Sequence, residues 1–358
     1  MSKLKEVLYT ENIGSGYLYF YIHLITEIVC FYVLSRLFGY GLFLWTAPFL
    51  YDSLEFVPQS IIGYISDKFP KISFGLIGIF LLTIGLITFS LNLLPGSYTE
   101  LIILCLGNAC IHVNGAEVTL RSSKGKLSHS AIFVAGGSFG VIIGKLLGDT
   151  PISFWIITIL ALTTIPFILL AEYYRKDADK QKKPCKNFNY YNENIDKLTI
   201  VLLAVLIVIV RGYMGYGIPT SWNKTTLQAI LLYFTMGFGK AMGGILSDIF
   251  GIRKTAIISI LLSLPFLLVG DNLMIISLIG VLLFSMTMSI TLGILVSVLK
   301  DTPGLAFGLT TIGLFLGTAP IFFFKINSNI TNGIVITLLT TLCLFVALKI
   351  IRKEQKNE

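Results

Sequence analysis

Apolar segments long enough to cross a lipid bilayer recur along the whole chain, and they limit the folds open to it. A spanning helix needs about 20 mostly apolar residues. Such segments fall at 14–37, 40–62, 72–92, 99–120, 128–148, 152–173, 198–220, 225–246, 254–270, 272–298, 304–324 and 331–350. Short alternating segments, which a transmembrane β-barrel would show, do not dominate the pattern. The sequence therefore predicts an all-α polytopic membrane protein with about twelve transmembrane helices.

A polar, basic stretch divides the predicted spans into two sets of six. We predict an N-terminal six-helix bundle at 1–173, a solvated cytoplasmic basic linker at 174–197 and a C-terminal six-helix bundle at 198–358. The five cysteines show no metal-ligand spacing. We expect no cofactor and assign no metal site from the sequence.

Lysine and arginine are distributed unequally between alternate loops. If the N-terminus is cytoplasmic, the outer loops hold only Arg36, Lys224 and Lys325, and the remaining loop cations lie inside. Cytoplasmic loops of membrane proteins are enriched in these residues. Both termini are therefore predicted to be cytoplasmic. The net charge of +8 follows from the basic residues of the predicted cytoplasmic loops. These residues are scattered over successive loops, which argues against a nucleic-acid partner.

The two halves of the sequence echo each other. The second span ends in "GYISDKFPK" from Gly63, and the eighth ends in "GGILSDIFGIRK" from Gly243. Aligned, Gly63 matches Gly244 and Asp67 matches Asp248. A second echo joins "FGVIIG" at 139–144 to "IGLFLG" at 312–317. Echoes at equivalent places indicate an internal duplication, which is common in transporters, and predict two bundles related by pseudo-twofold symmetry.

These loops resemble the signature loop of the major facilitator superfamily, Gly-x-x-x-Asp followed by basic residues. Within it, "GNACIHVNGAE" (107–117) and "FVAGGSFGVIIGKLLGD" (133–149) are similar to the fosmidomycin-resistance-like group of bacterial exporters. The resemblance implies a monomeric, multi-pass transporter of the bacterial plasma membrane that works by alternating access. It also implies cytoplasmic gate loops at Gly63, Asp67, Lys71, Gly244, Asp248 and Arg253.

Charged and polar residues inside the predicted spans point to a cavity between the halves. Ionisable residues in membrane spans are costly and almost always face protein or water. Several fall three or four positions apart and so share a helix face. We predict a substrate and proton cavity formed by His23, Glu27, Asp52, Glu55, Asn108, His112, Arg211 and Lys240. The acids suit proton coupling because desolvation favours the protonated form of a carboxyl.

Other interpretations of these residues stay open. Asp52 and Glu55 could pair with Arg211 or Lys240 as a structural bridge between the halves. Lys145 could extend to the outer membrane interface. Glu117 and Arg121 could form a salt bridge with the Asp67 loop. A metal ion could be bound by His23, Glu27 and His112.

The predicted function is secondary transport, with proton-coupled export of a small polar metabolite or drug as the first hypothesis. Proton-coupled import of a small organic anion is the alternative, and a lipid flippase or scramblase is the rival of a different class. We do not expect an enzyme, because H-E-x-x-H, G-x-S-x-G and phosphate-loop patterns are missing from the sequence. The expected partners are the solute, protons and the lipid bilayer.

Overall fold

A computed structural model describes residues 7, 13–39, 46–91, 93, 98–180, 185, 187–323 and 329–352. Residues 40–45 of the second predicted span and Lys325 of a predicted outer loop lie outside these ranges. Fourteen α-helices are assigned within them: α1 Gly14–Gly39, α2 Thr46–Phe56, α3 Pro58–Lys68, α4 Phe74–Ser90, α5 Thr99–Ser122, α6 Ser128–Gly148, α7 Phe154–Leu162, α8 Thr164–Lys180, α9 Lys197–Gly217, α10 Thr226–Phe250, α11 Ile252–Val269, α12 Met274–Val298, α13 Pro303–Phe323 and α14 Asn329–Phe345. A 3₁₀ turn at Gly270–Asn272 and a π-helical turn at Val346–Ile350 complete the helical structure of these ranges.

The helices confirm the predicted fold class. In the described residues, ten helical stretches are long and apolar enough to cross a membrane, and Phe74–Ser90 is a shorter apolar helix. Large apolar side chains on the third, sixth, ninth and twelfth predicted spans are exposed, among them Phe80, Ile159, Ile258 and Leu338. Lipid tails are as apolar as leucine, so exposure of such side chains fits helices that face lipid.

The second predicted span is two helices, α2 and α3, and not one. Pro58 has no amide hydrogen and cannot make the helical hydrogen bond at its position, so the helix is interrupted there. Val57 keeps helical angles, and the chain passes from α2 to α3 without a loop. α3 runs on to Lys68, so that Asp67 and Lys68 lie in its last turn. Asp67, which was predicted to lie in a gate loop, is therefore at the end of a helix.

Small residues let helices within each half pack closely. α1 packs along α6, and α4 along α5; in the other half α9 packs on α13 and α10 on α12. A Cβ atom at Gly136, Gly140 or Gly144 would collide with carbonyl oxygens of α1. Glycines of this kind allow direct backbone contact between membrane helices. This glycine row therefore fixes α1, with His23 and Glu27, against α6.

The two halves meet along two helix pairs, α3 with α13 and α6 with α10. α3 and α10 carry the two copies of the first sequence echo, and α6 and α13 carry those of the second, so equivalent helices make equivalent contacts. A Cβ at Gly63 would collide with the carbonyl of Gly304, and one at Gly244 would collide with Ala131. Both contacts lie at the end of the molecule that carries Asp67 and Asp248, which we call the gate end.

Part of the predicted linker is packed against the gate end. Asn187 donates to the Lys124 carbonyl at 3.1 Å, and the hydroxyl of Tyr190 donates to the Gly125 carbonyl. The Cys185 amide donates to the carbonyl of Lys300 at 2.9 Å. Phe188 is fully buried. The prediction of a solvated linker was therefore wrong for this segment, because it is hydrogen-bonded to loops of both halves and Phe188 is buried.

Candidate functional site

Two histidines and two glutamates from α1, α2 and α5 meet in the first half. The Nε2 atoms of His23 and His112 are 2.6 Å apart. Glu27 Oε1 lies 3.7 Å from Nε2 of His23 and 3.4 Å from that of His112, and Glu55 Oε1 lies 3.8 Å from His112 Nε2. All four side chains are buried. We call these four residues the His–Glu cluster.

Surrounding groups fix the orientation of the cluster. Nδ1 of His23 lies 3.0 Å from the Phe133 carbonyl, and Nδ1 of His112 lies 3.1 Å from the Asn108 carbonyl. Tyr51 donates to Glu27 Oε2 at 3.2 Å, and the Asn108 amide donates to Glu27 Oε1 at the same distance. Glu27 therefore has two hydrogen-bond donors besides the histidines.

Asp52 stands apart from the cluster. Its side chain is partly exposed, and in the described residues it has no salt bridge to Lys145 on α6. The Lys145 ammonium donates to the hydroxyl of Tyr233 on α10 at 3.1 Å and lies 5.3 Å from the ring centre of Phe31. Lys145 thus contacts the other half of the molecule, and its extension to the outer interface stays a prediction.

Arg211 and Lys240 supply positive charge from the second half. Arg211 is buried and donates to Thr287 at 2.6 Å and Thr291 at 3.2 Å, and its Nε atom has no hydrogen-bond partner among the described residues. Lys240 is partly buried and donates to Ser138 on α6 at 2.8 Å. In the described part of the chain, neither cation has a carboxylate within salt-bridge distance, so the structural bridge to Asp52 or Glu55 is not formed.

A cavity lies between the halves, and both cations reach it. Its volume is about 20 Å³, its walls come from both halves, and the lining includes Arg211, Lys240, Ser130, Val134, Phe307 and Thr310. The wall is mostly apolar apart from these cations and hydroxyl groups.

Asp67 and Asp248, which match each other in the first sequence echo, make equivalent contacts at the gate end. Asp67 accepts hydrogen bonds from the amides of Gly304 at 3.1 Å and Leu305 at 2.8 Å, at the first turn of α13. Asp248 accepts from the amides of Leu127 and Ser128, both at 2.9 Å, where α6 begins. A carboxylate at a helix N-terminus satisfies free amide groups and complements the helix dipole. Each aspartate therefore holds the opposite half.

A salt-bridge network supports the first of these contacts. Arg121 lies 3.0 Å from Asp67 and 2.9 Å from Glu117, and Ser66 donates to Glu117. The network contains the salt bridge between Arg121 and Asp67 that was one of the interpretations left open by the sequence.

The remaining predicted gate residues lie elsewhere. Lys71 is exposed. Arg253 donates to the carbonyls of Ala347 at 3.2 Å and Leu348 at 2.7 Å, where the last helix of its own half ends.

Sequence reasoning missed several residues that hold the site together. Tyr51 is four residues before Glu55, and a polar hydroxyl at that spacing could have placed it on the same face. Thr287 and Thr291 share a face of α12 in the same way. The contact of Ser138 with Lys240 joins two halves of the chain, and no local pattern signals it.

No family model and no curated protein matches this chain. Solved structures of the transporter FucP are similar to it. A variant of the E. coli fucose:proton symporter FucP aligns with a TM-score of 0.62 at 14% identity, over 95% of this chain and 99% of that one. FucP in the outward conformation, a major facilitator superfamily transporter, aligns with a TM-score of 0.54 at 15% identity, over 92% and 97%. The chain has the fold of the major facilitator superfamily. Its resemblance to the fosmidomycin-resistance-like group stays a prediction.

Proposed function

We propose that this chain is a proton-coupled secondary transporter of a small anionic solute, working by alternating access between its two halves. The observation that carries the proposal is the pair of cations, Arg211 and Lys240, which reach one cavity between the halves without a carboxylate partner in the described residues. Charges inside membrane proteins are normally paired. A solute anion would supply the missing partner.

Proton coupling is assigned to the His–Glu cluster, with Glu55 as the carrier. Glu27 receives hydrogen bonds from Tyr51 and Asn108 and lies near both histidines, and these contacts favour its ionised form. Glu55 is equally buried, and its carboxyl lies beside that of Glu27. Two neighbouring carboxylates cannot both ionise cheaply, so the coupling proton belongs on Glu55.

In this proposal the moving units are the bundles 1–173 and 198–358. We propose that the gate end lies at the cytoplasmic face of a bacterial plasma membrane. The loop charges support this orientation, because Lys124, Lys126, Lys254 and Lys300 cluster there. The described contacts of Asp67 and Asp248 keep that end closed. We propose that a single chain suffices for transport.

The direction of transport has two candidates. Export of a small polar metabolite or drug follows from the resemblance to bacterial exporters in "FVAGGSFGVIIGKLLGD". Uptake of a small organic anion is favoured by the likeness of the fold to a fucose:proton symporter and by the two cations at the cavity. The sign of the flux under an imposed pH gradient separates the two.

The test uses proteoliposomes and a panel of radiolabelled small mono- and dicarboxylates and sugar acids. We expect at least one anion to move with an imposed pH gradient in the wild-type protein. Glu55→Gln should abolish gradient-driven flux and keep counterflow of the same anion, whereas Glu172→Gln, outside the cluster, should keep both. If Glu55→Gln keeps full gradient-driven flux, Glu55 is not the proton carrier. If no anion moves with or without the gradient, the proposed solute class is wrong.

A further inference from the structure

The two histidines of the His–Glu cluster face each other in an arrangement that two neutral rings do not favour. Each Nδ1 lies beside a backbone carbonyl, which only accepts hydrogen bonds, so each Nδ1 carries the ring proton. In a neutral imidazole the other nitrogen then holds a lone pair. The two nitrogens that hold these lone pairs lie 2.6 Å apart, close enough for the lone pairs to repel each other. A positive species between the rings removes this repulsion.

The distances in the cluster are close to those around a tetrahedral metal ion. Zinc binds imidazole nitrogen and carboxylate oxygen at about 2.0–2.2 Å, so neighbouring ligand atoms lie roughly 3.3–3.5 Å apart. His112 Nε2 is 3.4 Å from Glu27 Oε1 and 3.8 Å from Glu55 Oε1, and His23 Nε2 is 3.7 Å from Glu27 Oε1. The two Nε2 atoms are closer than this, and they must separate by about 0.7 Å to bind one ion.

We propose that His23, Glu27 and His112 form a binding site for a divalent first-row transition metal ion such as Zn²⁺. One ligand atom from each of His23, Glu27 and His112 lies within 4.8 Å of the others. Imidazole nitrogen selects such ions over Mg²⁺ and Ca²⁺, which prefer oxygen. The sequence assigned no metal site but left metal binding by these three residues open, and the proposal develops that interpretation.

The groups around the cluster are those that metal-binding histidines and carboxylates normally have. A histidine that binds metal usually donates its other N–H to a carbonyl or carboxylate, and such partners fix the ring and its tautomer. Both rings here meet a carbonyl in this way. Glu27 is oriented by Tyr51 and Asn108.

The site goes beyond the proposed transport function, because the ligand geometry depends on neither the solute nor the gradient. A proton shared by the two Nε2 atoms is the competing explanation of their short distance. Metal binding by the purified chain separates the two, and it is measured without transport. A loss of proton-driven flux would leave this proposal intact, and a chain that binds no metal would leave the transport proposal intact.

The experiment uses the full chain in detergent, stripped with a chelator and titrated with Zn²⁺ by calorimetry. We expect one Zn²⁺ per chain, with Mg²⁺ unable to compete. His23→Gln and His112→Gln should each raise the Kd for Zn²⁺ by about 100-fold. Loss of a group that only orients a metal ligand raises the Kd by about 10- to 100-fold, and loss of a ligand should reach the upper end of that range. The matched control is His129→Gln, since His129 is the third histidine of the chain and lies outside the cluster. It should bind Zn²⁺ as the wild type does.

X-ray absorption of the Zn²⁺-loaded wild type gives a readout that does not depend on folded variants. Two imidazole ligands and oxygen ligands are expected around the ion. The proposal is overturned if the wild type binds no Zn²⁺, if the absorption spectrum shows no imidazole, or if the double variant His23→Gln/His112→Gln binds Zn²⁺ as tightly as His129→Gln.

Discussion

At the residue scale, the two cations of the second half have hydroxyl partners where the sequence suggested acids. Arg211 binds Thr287 and Thr291, and Lys240 binds Ser138. Neutral partners leave most of each positive charge uncompensated. A buried cation of this kind attracts an anion strongly, since the local dielectric is low and screening by salt is weak.

We expect Arg211→Ala and Lys240→Ala each to weaken binding of the transported anion by roughly 10- to 100-fold, the loss typical of a hydrogen bond to a charged group. The measurement is equilibrium binding of the radiolabelled anion to the purified protein. Lys254→Ala removes an exposed lysine and is the matched control. Unchanged affinity in both cavity variants would show that the anion does not bind between these cations.

The sequence could predict which residues the site uses, but not how they pair. A charge in a membrane span is costly enough to stand out, and this is why His23, Glu27, Glu55, Arg211 and Lys240 could be predicted. The direct contact between the rings of His23 and His112 depends on how α1 and α5 pack in three dimensions. Helical spacing within one segment carries no information about that contact.

At the element scale, two contacts close the gate end. They have the same pattern of amide hydrogen bonds but differ in the salt bridges around them. Asp67 and Asp248 each accept two amide hydrogen bonds from a helix start in the opposite half. Asp67 also pairs with Arg121, which is tied to Glu117. Among the described residues, Asp248 has no arginine or lysine within salt-bridge distance. The alignment of the echoes predicted the equivalence, and the difference arises from α5, which carries Arg121.

We expect Asp67→Asn to shift the equilibrium between closed and open gate ends toward the open state by about 1–3 kcal/mol, the usual size of a coupling free energy. Asp248→Asn should cause a smaller shift. Asparagine keeps one acceptor oxygen, but it loses the charge that binds Arg121 and complements the helix dipole of α13. Val134→Cys, in the cavity wall, reports the opening through its labelling rate by a thiol reagent added from the gate side. Equal labelling rates in the two aspartate variants would mean that the Arg121 pair does not strengthen closure.

At the scale of the whole molecule, the fold predicts that the two gate contacts open together. Within each half the helices pack closely, whereas the halves touch mainly along α3 with α13 and α6 with α10. Two rigid bundles that rock against each other cannot separate one of these pairs at the gate end and keep the other intact. The break at Pro58, between α2 and α3, is the place where a local bend could release α3 alone.

Gly63→Ala distinguishes rocking of whole bundles from local bending. Its Cβ would collide with the Gly304 carbonyl and force α3 away from α13. If the halves move as rigid bodies, amide hydrogen exchange should accelerate at Gly304 and Leu305 and also at Leu127 and Ser128, the donors to Asp248 at the other contact. The control is Gly215→Ala, because a Cβ at Gly215 meets no atom within 4 Å. Faster exchange confined to Gly304 and Leu305 would show that α3 bends at Pro58, and would contradict rocking of the two halves.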